Sequence, residues 1–123
     1  MPAFGSMSLK KRLHSFQYAI NGIRNLFTSQ PNAQIHLLVA LFTLGAGYYF
    51  QISRMEWLAV CICIVTVISL EAVNTALEHL TDLVSPDFHP LAGKVKDVAA
   101  AAVLIAAIGA VAVGLIIFLP KVF

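Results

Sequence analysis

The chain has 123 residues, of which 59% are hydrophobic and only 11% are charged, and its formal net charge at pH 7 is +2. A mean hydropathy of +0.85 lies well outside the usual range for a water-soluble domain of this size. The composition therefore excludes an ordinary soluble enzyme and predicts one membrane-embedded domain. The sequence contains no nucleic-acid-binding motif, so no nucleic-acid partner is expected.

Residues 8–29 are predicted to form an amphipathic helix at the membrane surface. Apolar side chains recur there at spacings of four and three, the pattern of one apolar helical stripe, while basic and amide side chains occupy the other faces. Such a helix should lie along the membrane rather than cross it. The stripe consists of Leu9, Leu13, Phe16, Ile20, Ile23 and Phe27.

Three later segments are predicted to cross the bilayer, since a spanning helix needs roughly 20 mainly apolar residues. They are residues 35–52, 57–83 and 90–119. In the first span His36 is the one side chain that can become charged near neutral pH. The predicted fold is an all-α integral membrane protein, with an N-terminal surface helix followed by three transmembrane helices in a single domain, 1–123.

The distribution of lysine and arginine predicts the orientation of these helices, because positive charge concentrates on the cytoplasmic side. One side of the predicted membrane carries Lys10, Lys11, Arg12, Arg24, Lys94 and Lys96, and the other carries Arg54 and Lys121. The N-terminus and the loop between the second and third spans should therefore be cytoplasmic, and the C-terminus should face outward.

The second span ends in the stretch SLEAVNTALEHLTDL, which carries a stripe of polar side chains. At about 100° per residue, Glu71, Asn74, Glu78 and Asp82 fall within an arc of about 80° on one helical face. Ionisable groups in a membrane span face protein or water and are candidates for a functional site. We call these four residues the acidic stripe.

Three uses of the acidic stripe are open on these grounds. Pairing with lysines, with Arg24 or with another subunit would be purely structural. A proton or cation pathway would need further polar residues through the membrane, and the first and third spans offer almost none. A metal–nucleotide site would need carboxylates for Mg²⁺ and a cation for phosphate. The following loop supplies Lys94, Lys96 and Asp97 beside a helix start at Pro90.

The motifs EAVNTALEHLTDL, HPLAGKVKDVAAAAV and GLIIFLPK, together with SFQYAINGIRNLF in the surface helix, resemble the prokaryotic diacylglycerol kinase family, most closely its undecaprenol kinase branch. The likeness covers nearly the whole chain. It implies a lipid kinase of the bacterial cytoplasmic membrane, which uses ATP and Mg²⁺ and forms a homotrimer. The sequence carries no motif of the soluble kinases, neither a Walker A loop nor H-R-D and D-F-G.

The resemblance also implies roles for individual residues. Glu71 would be the general base toward the lipid hydroxyl, with Asn74 beside it. Lys96 would stabilise charge on the transferred γ-phosphoryl, and Glu78 would hold the Mg²⁺ of MgATP. The remaining residues that the resemblance places at the nucleotide are Lys11 or Arg12, Tyr18, Asp82, Asp87, Phe88, His89 and Asp97.

One position departs from the family pattern. Where the family normally places a second metal-binding glutamate, this chain has Gln30, whose neutral carbonyl is a weaker ligand for a hard cation. A non-catalytic membrane subunit therefore stays open as an alternative.

Two further expectations concern the substrate and the assembly. Ala100, where diacylglycerol kinases tend to carry serine, favours undecaprenol as the lipid substrate, with diacylglycerol as the alternative. The small residues Ala102, Ala106, Ala110 and Gly114 recur every four positions. They make a seam that would permit close packing of helices within one subunit or between subunits.

Overall fold

The computed structural model describes residues 8–123 as four α-helices joined by short connections, with no β-strand in that range. The helices are α1, Leu9–Ser29; α2, Pro31–Tyr49; α3, Arg54–Val84; and α4, Pro90–Val122. The all-α prediction is therefore confirmed.

Each helix begins at a residue that satisfies or avoids an unpaired N–H group of the first turn. Ser8 accepts a hydrogen bond from the Lys11 N–H. Ser53 and Glu56 form a reciprocal capping box at the start of α3. The helices α2 and α4 begin at prolines, which have no N–H to satisfy.

The helix ends differ from the predicted spans at identifiable places. Because Pro31 starts α2 directly after Gln30, the helix begins before the apolar run at residue 35. The capping box starts α3 at Arg54, three residues before the apolar run. The third predicted span ends at residue 119, but α4 continues through Pro120, in its last turn, to Val122.

The α2–α3 connection is a Schellman turn, in which the chain reverses through a left-handed residue. The Gln51 N–H donates to the Tyr48 carbonyl at 3.3 Å, and the Ile52 N–H donates to the Gly47 carbonyl at 3.1 Å. Gln51 has a φ of 51°, a conformation that usually favours glycine. A Cβ on Gly47 would lie 2.8 Å from the Trp57 ring, so this glycine allows the end of α2 to approach α3.

The largest helix interface is between α3 and α4, and α2 packs on α3. A hydrophobic core at the N-terminal end of α3 is formed by Ile52, Val60 and Ile117. Phe50 and Phe118 pack against it, with ring centroids 6.1 Å apart. Elsewhere many large apolar side chains are exposed, as is expected where lipid or another subunit takes the place of water.

Two of the described helices, α3 and α4, are long and apolar enough to cross a membrane. The 19-residue helix α2 begins with the polar residues Asn32 and Gln34, which shorten its apolar part. The prediction of three spans is therefore not confirmed by length and composition, and it stays a prediction. The apolar stripe of α1 is exposed throughout its first four turns, from Leu9 to Ile23.

Candidate active site

The C-terminal half of α3 buries three polar side chains. Glu71, Asn74 and Thr75 are 3%, 7% and 8% exposed, and they are the buried polar residues of the described chain. Spacings of three and four place them on one helical face together with the half-buried Glu78. Burial of a carboxylate is costly unless a partner compensates it, so the neighbours of Glu71 decide what this face can do.

Glu71 faces a histidine on α2. The Nε2 atom of His36 lies 3.6 Å from the Glu71 Oε2 atom, and the side chains are 24% and 4% exposed, respectively. Among residues 8–123 this is the one side chain within ion-pair distance of Glu71. The Glu71 carboxylate is therefore buried, and its one basic neighbour, His36, is partly exposed.

Asn74 lies one turn after Glu71 and bonds the next member of the acidic stripe. Its Nδ2 atom donates to Glu78 Oε1 at 3.4 Å. The Asn74 Oδ1 and Thr75 Oγ1 atoms are buried and have no hydrogen-bond partner within the described chain. Because buried polar atoms are nearly always satisfied, these two atoms mark a place where a bound group can supply the missing partners.

The last member of the acidic stripe is joined to α4. The Lys96 Nζ atom donates to Asp82 Oδ1 at 2.6 Å. These side chains are 41% and 62% exposed, so water screens the pair, and exposed ion pairs contribute little to stability. Lys96 is thus held at the stripe by a contact that an incoming anion can replace. Asp97, the next residue, is exposed.

The connection between α3 and α4 holds the predicted nucleotide loop in a defined backbone conformation. The Ser85 hydroxyl donates to the Asp87 carbonyl at 3.0 Å. The His89 Nδ1 atom accepts the Leu91 N–H at 3.1 Å and so caps α4. The ring of Phe88 is almost fully exposed. His89 therefore has a structural role that its predicted nucleotide contact did not include.

The predicted nucleotide contacts on α1 are not brought to the acidic stripe. Lys11, Arg12 and Tyr18 are exposed, and among the described residues no side-chain hydrogen bond or ion pair joins them to α3. Gln30 forms the one-residue junction between α1 and α2. Its carbonyl accepts the Gln34 N–H, and within residues 8–123 no hydrogen bond joins its side chain to Glu78.

An apolar groove of about 470 Å³ lies between α2, α3 and α4. Val39, Val67 and Val111 are among the side chains that line it, and His36 lines it as well. Ala110 and Gly114 of the small-residue seam also face this groove. The groove is therefore continuous with the histidine that touches Glu71.

The described residues contain no group of three His, Cys, Asp or Glu side chains that could hold a metal ion by itself. Magnesium in a nucleotide site usually needs fewer protein ligands, because phosphate oxygens complete its coordination shell and one or two carboxylates are enough. The half-buried Glu78 carboxylate is one such ligand, with the Asn74 amide one helical turn before it. This donor set fits Mg²⁺ bound together with ATP.

Two residues of this site were not among the predicted site residues. His36 could have been selected from the sequence, because it is the one residue of the first predicted span that can become charged near neutral pH. Thr75 lies about 40° from Glu71 on the helical wheel, about 20° beyond Asp82, so it borders the arc that defines the acidic stripe.

Comparison with known proteins identifies the family of this chain. The family model described as prokaryotic diacylglycerol kinase matches residues 17–118. The undecaprenol kinase of Bacillus subtilis is 39% identical over 113 residues, which cover 92% of each chain. A diacylglycerol kinase of Synechocystis is 42% identical over 111 residues, covering 88% of this chain and 62% of that protein. A diacylglycerol kinase of Helicobacter pylori strain 26695 is 30% identical over 97 residues, covering 78% and 75%.

The family match spans both the acidic stripe and Lys96, and the relatives above are all named as kinases. The chain therefore belongs to the prokaryotic diacylglycerol kinase family and is a lipid kinase of the bacterial membrane.

Proposed function

We propose that this enzyme transfers the γ-phosphoryl group of MgATP to the hydroxyl group of undecaprenol. The observation that carries the proposal is the buried Glu71 carboxylate, which lies on the same helical face as Asn74 and Glu78 and borders an apolar groove through His36. A lipid alcohol needs this combination, because its hydroxyl must reach a base while its chain stays out of water.

In the proposed reaction Glu71 accepts the hydroxyl proton and Asn74 orients the attacking oxygen. Glu78 is the carboxylate that holds Mg²⁺, which neutralises phosphate charge when it is bound with ATP. Lys96 exchanges its contact with Asp82 for the γ-phosphoryl oxygens. Phosphoryl transfer depends mostly on positioning and on neutralising charge, and these residues supply both.

The remaining nucleotide contacts are proposed from the family resemblance. Asp97 and the loop residues Asp87, Phe88 and His89 contact the nucleotide from the start of α4, and Asp82 supports Lys96. Lys11 or Arg12, with Tyr18, would approach from α1. Since their side chains are exposed and unconnected to α3 among the described residues, we infer that α1 of another subunit can bring them to the site.

A homotrimer is the proposed assembly. The position where a Gly114 Cβ would lie has no heavy atom within 4 Å, so packing inside one chain does not require glycine there. Exposed Ala102 extends the same seam. A second subunit could pack on the exposed part of the seam at Ala102, beyond the groove that Ala110 and Gly114 line.

The proposed membrane topology has three spans, α2 to α4, with α1 on the cytoplasmic surface. The exposed apolar stripe of α1 can enter the lipid interface, and the lysines near the α3–α4 connection support a cytoplasmic loop. In this orientation MgATP reaches Glu78 and Lys96 from the cytoplasm, and the lipid alcohol reaches Glu71 from the membrane.

Diacylglycerol is the second candidate substrate. Its support is the Synechocystis diacylglycerol kinase, which is 42% identical to this chain. Ala100 and the 92% coverage of the Bacillus subtilis undecaprenol kinase favour undecaprenol.

The test places purified enzyme in vesicles that contain equal amounts of undecaprenol and diacylglycerol, with Mg²⁺ and γ-labelled ATP. We expect most label in undecaprenyl phosphate. Preferential labelling of phosphatidic acid would keep the reaction and replace the substrate. No lipid labelling by folded enzyme would contradict the proposed function.

A further inference from the structure

The contact between His36 and Glu71 joins a partly exposed side chain to a buried one. The carboxylate side chain is 4% exposed, whereas the imidazole side chain is 24% exposed. Their nearest atoms, Nε2 and Oε2, are 3.6 Å apart, so a shift of about 0.5 Å brings them to hydrogen-bond distance. Among residues 8–123 the His36 side chain makes no hydrogen bond that would hold the ring away from Glu71.

Phosphorylation of an alcohol releases one proton that must leave this closed site. The O–H bond of the alcohol breaks as its oxygen bonds to the γ-phosphorus atom. The bond from that phosphorus to the bridging oxygen breaks, and its electron pair leaves with ADP. The proton is then on Glu71, whose side chain is shielded from water. The next turnover requires Glu71 to lose that proton.

We propose that His36 is a proton-relay residue that acts through Glu71. This inference rests on the proposed function, because it takes Glu71 as the base. After transfer the proton moves from Glu71 Oε2 to His36 Nε2. The imidazolium lies in the second turn of α2, near the cytoplasmic end of the proposed span, and there it gives a proton to water. Imidazole suits this step because its ordinary charge change lies between pH 5 and 8.

The other charged groups near this face are engaged elsewhere or are acidic. On α3, Glu78 accepts a hydrogen bond from Asn74, and Asp82 pairs with Lys96 of α4. On α2, His36 is the one titratable side chain that precedes Tyr48 in the sequence. No charged side chain of the described part of α1 lies within 4.0 Å of an oppositely charged group. Within the described chain His36 is therefore the available acceptor next to Glu71.

A static ion pair would use the same contact differently. A permanently protonated His36 would stabilise the Glu71 carboxylate and make it a weaker base. A static pair could be restored by an imidazolium ion in place of the ring, whereas a relay can be replaced by any buffer base that reaches Glu71. The dependence of turnover on buffer concentration therefore separates the two roles.

The first test uses His36→Ala, which leaves space for added imidazole, and His79→Ala as the control, because His79 is an exposed histidine on the same helix, α3, as Glu71. Transfer to the lipid alcohol is followed at saturating MgATP. We expect kcat of His36→Ala to fall about 10²-fold, as for other lost proton transfers. Saturating imidazole should restore part of it, and neither effect should occur in His79→Ala.

A second variant, His36→Gln, has a side chain of similar size that cannot carry a proton, and it is tested by a second measurement. Its kcat should rise with buffer concentration at constant pH and ionic strength, whereas kcat of the unmodified enzyme should not. Thermal unfolding and size-exclusion chromatography check that each variant is folded and assembled. If His36→Ala does not fold, the buffer dependence of His36→Gln decides the matter alone.

The relay is overturned if both variants keep the kcat of the unmodified enzyme, or if the lost turnover responds neither to imidazole nor to buffer. An unmodified enzyme that transfers no phosphoryl group would overturn the proposed function and the relay together. An active unmodified enzyme with an inactive Glu71→Gln variant and a fully active His36→Ala variant would remove the relay alone.

Discussion

The two ends of α3 are built in different ways, although they belong to one continuous helix. At the N-terminal end, Ser53 and Glu56 satisfy each other's backbone N–H groups, and Glu56 pairs with Lys121 at 2.8 Å. In the C-terminal half, Glu71, Asn74 and Thr75 are buried, and two of their polar atoms have no partner within the described chain.

This difference separates a carboxylate that stabilises the fold from one that is available for chemistry. The Glu56 carboxylate accepts one hydrogen bond on each oxygen, from the Ser53 N–H and from the Lys121 ammonium group. Glu71 has one histidine near it and lies in a dry environment. Unsatisfied buried groups cost stability, and functional sites are where proteins tolerate such costs.

Exchanging each carboxylate for its amide is expected to give the largest effect. Glu71→Gln removes the base and should lower phosphoryl transfer by about 10² to 10⁴-fold while the helices remain folded. Glu56→Gln is the matched control and should leave transfer within about twofold, because Glu56 lies near the opposite end of α3. The measurement is label transfer from γ-labelled ATP. Substantial turnover by Glu71→Gln would remove Glu71 as the base.

The two lysines that pair with α3 carboxylates offer a parallel comparison. Lys96→Gln should lower kcat about 10² to 10³-fold, since it removes a cation from the transferred phosphoryl group. Lys121→Gln should leave kcat unchanged, because Lys121 pairs with Glu56. Steady-state kinetics with varied MgATP measures both. Equal loss in the two variants would mean that Lys96 acts only in folding or assembly.

One substitution tests how strongly the site in the C-terminal half of α3 binds Mg²⁺. Gln30→Glu should lower the Mg²⁺ concentration for half-maximal activity several-fold, because a carboxylate is a better ligand for Mg²⁺ than an amide. Gln30→Ala serves as the control and should not lower it. A Mg²⁺ titration of each purified variant is the measurement. An unchanged or increased requirement in Gln30→Glu would argue that Gln30 lies away from the metal.

The smallest expected effect is at the N-terminal end of α3. Ser53→Ala removes the side chain that accepts the Glu56 N–H, and it should lower the free energy of unfolding by about 1 kcal/mol. Transfer activity should not change when the enzyme is assayed well below its unfolding temperature. Denaturation of the purified protein measures the first quantity. A loss of activity without a loss of stability would contradict the division of α3 into two functional halves.

The sequence was sufficient to predict the helices and the acidic stripe, because both depend on periodicity along one segment. Asn74 and Glu78 lie on a shared face and form a hydrogen bond, as a spacing of four allows. The pairing of Lys96 with Asp82 was one of the structural alternatives considered for the stripe. The predicted span of residues 35–52 missed the start of α2 because a proline, not apolarity, fixes that end.

The contact between His36 and Glu71 could not be predicted in the same way. It joins residues 35 positions apart on different helices, and its geometry depends on how α2 packs against α3. Contacts that depend on the rotation of one helix about its axis leave no periodic signal in either helix.

The most direct test of the account measures where the γ-phosphoryl group goes. Purified enzyme in vesicles receives Mg²⁺ and γ-labelled ATP, with and without a lipid alcohol, and ADP, free phosphate and lipid phosphate are quantified together. We expect one lipid phosphate for each ADP, with ADP formation falling to background when the alcohol is omitted. ADP formation that yields free phosphate whether or not the alcohol is present would contradict a site built around a lipid hydroxyl at Glu71.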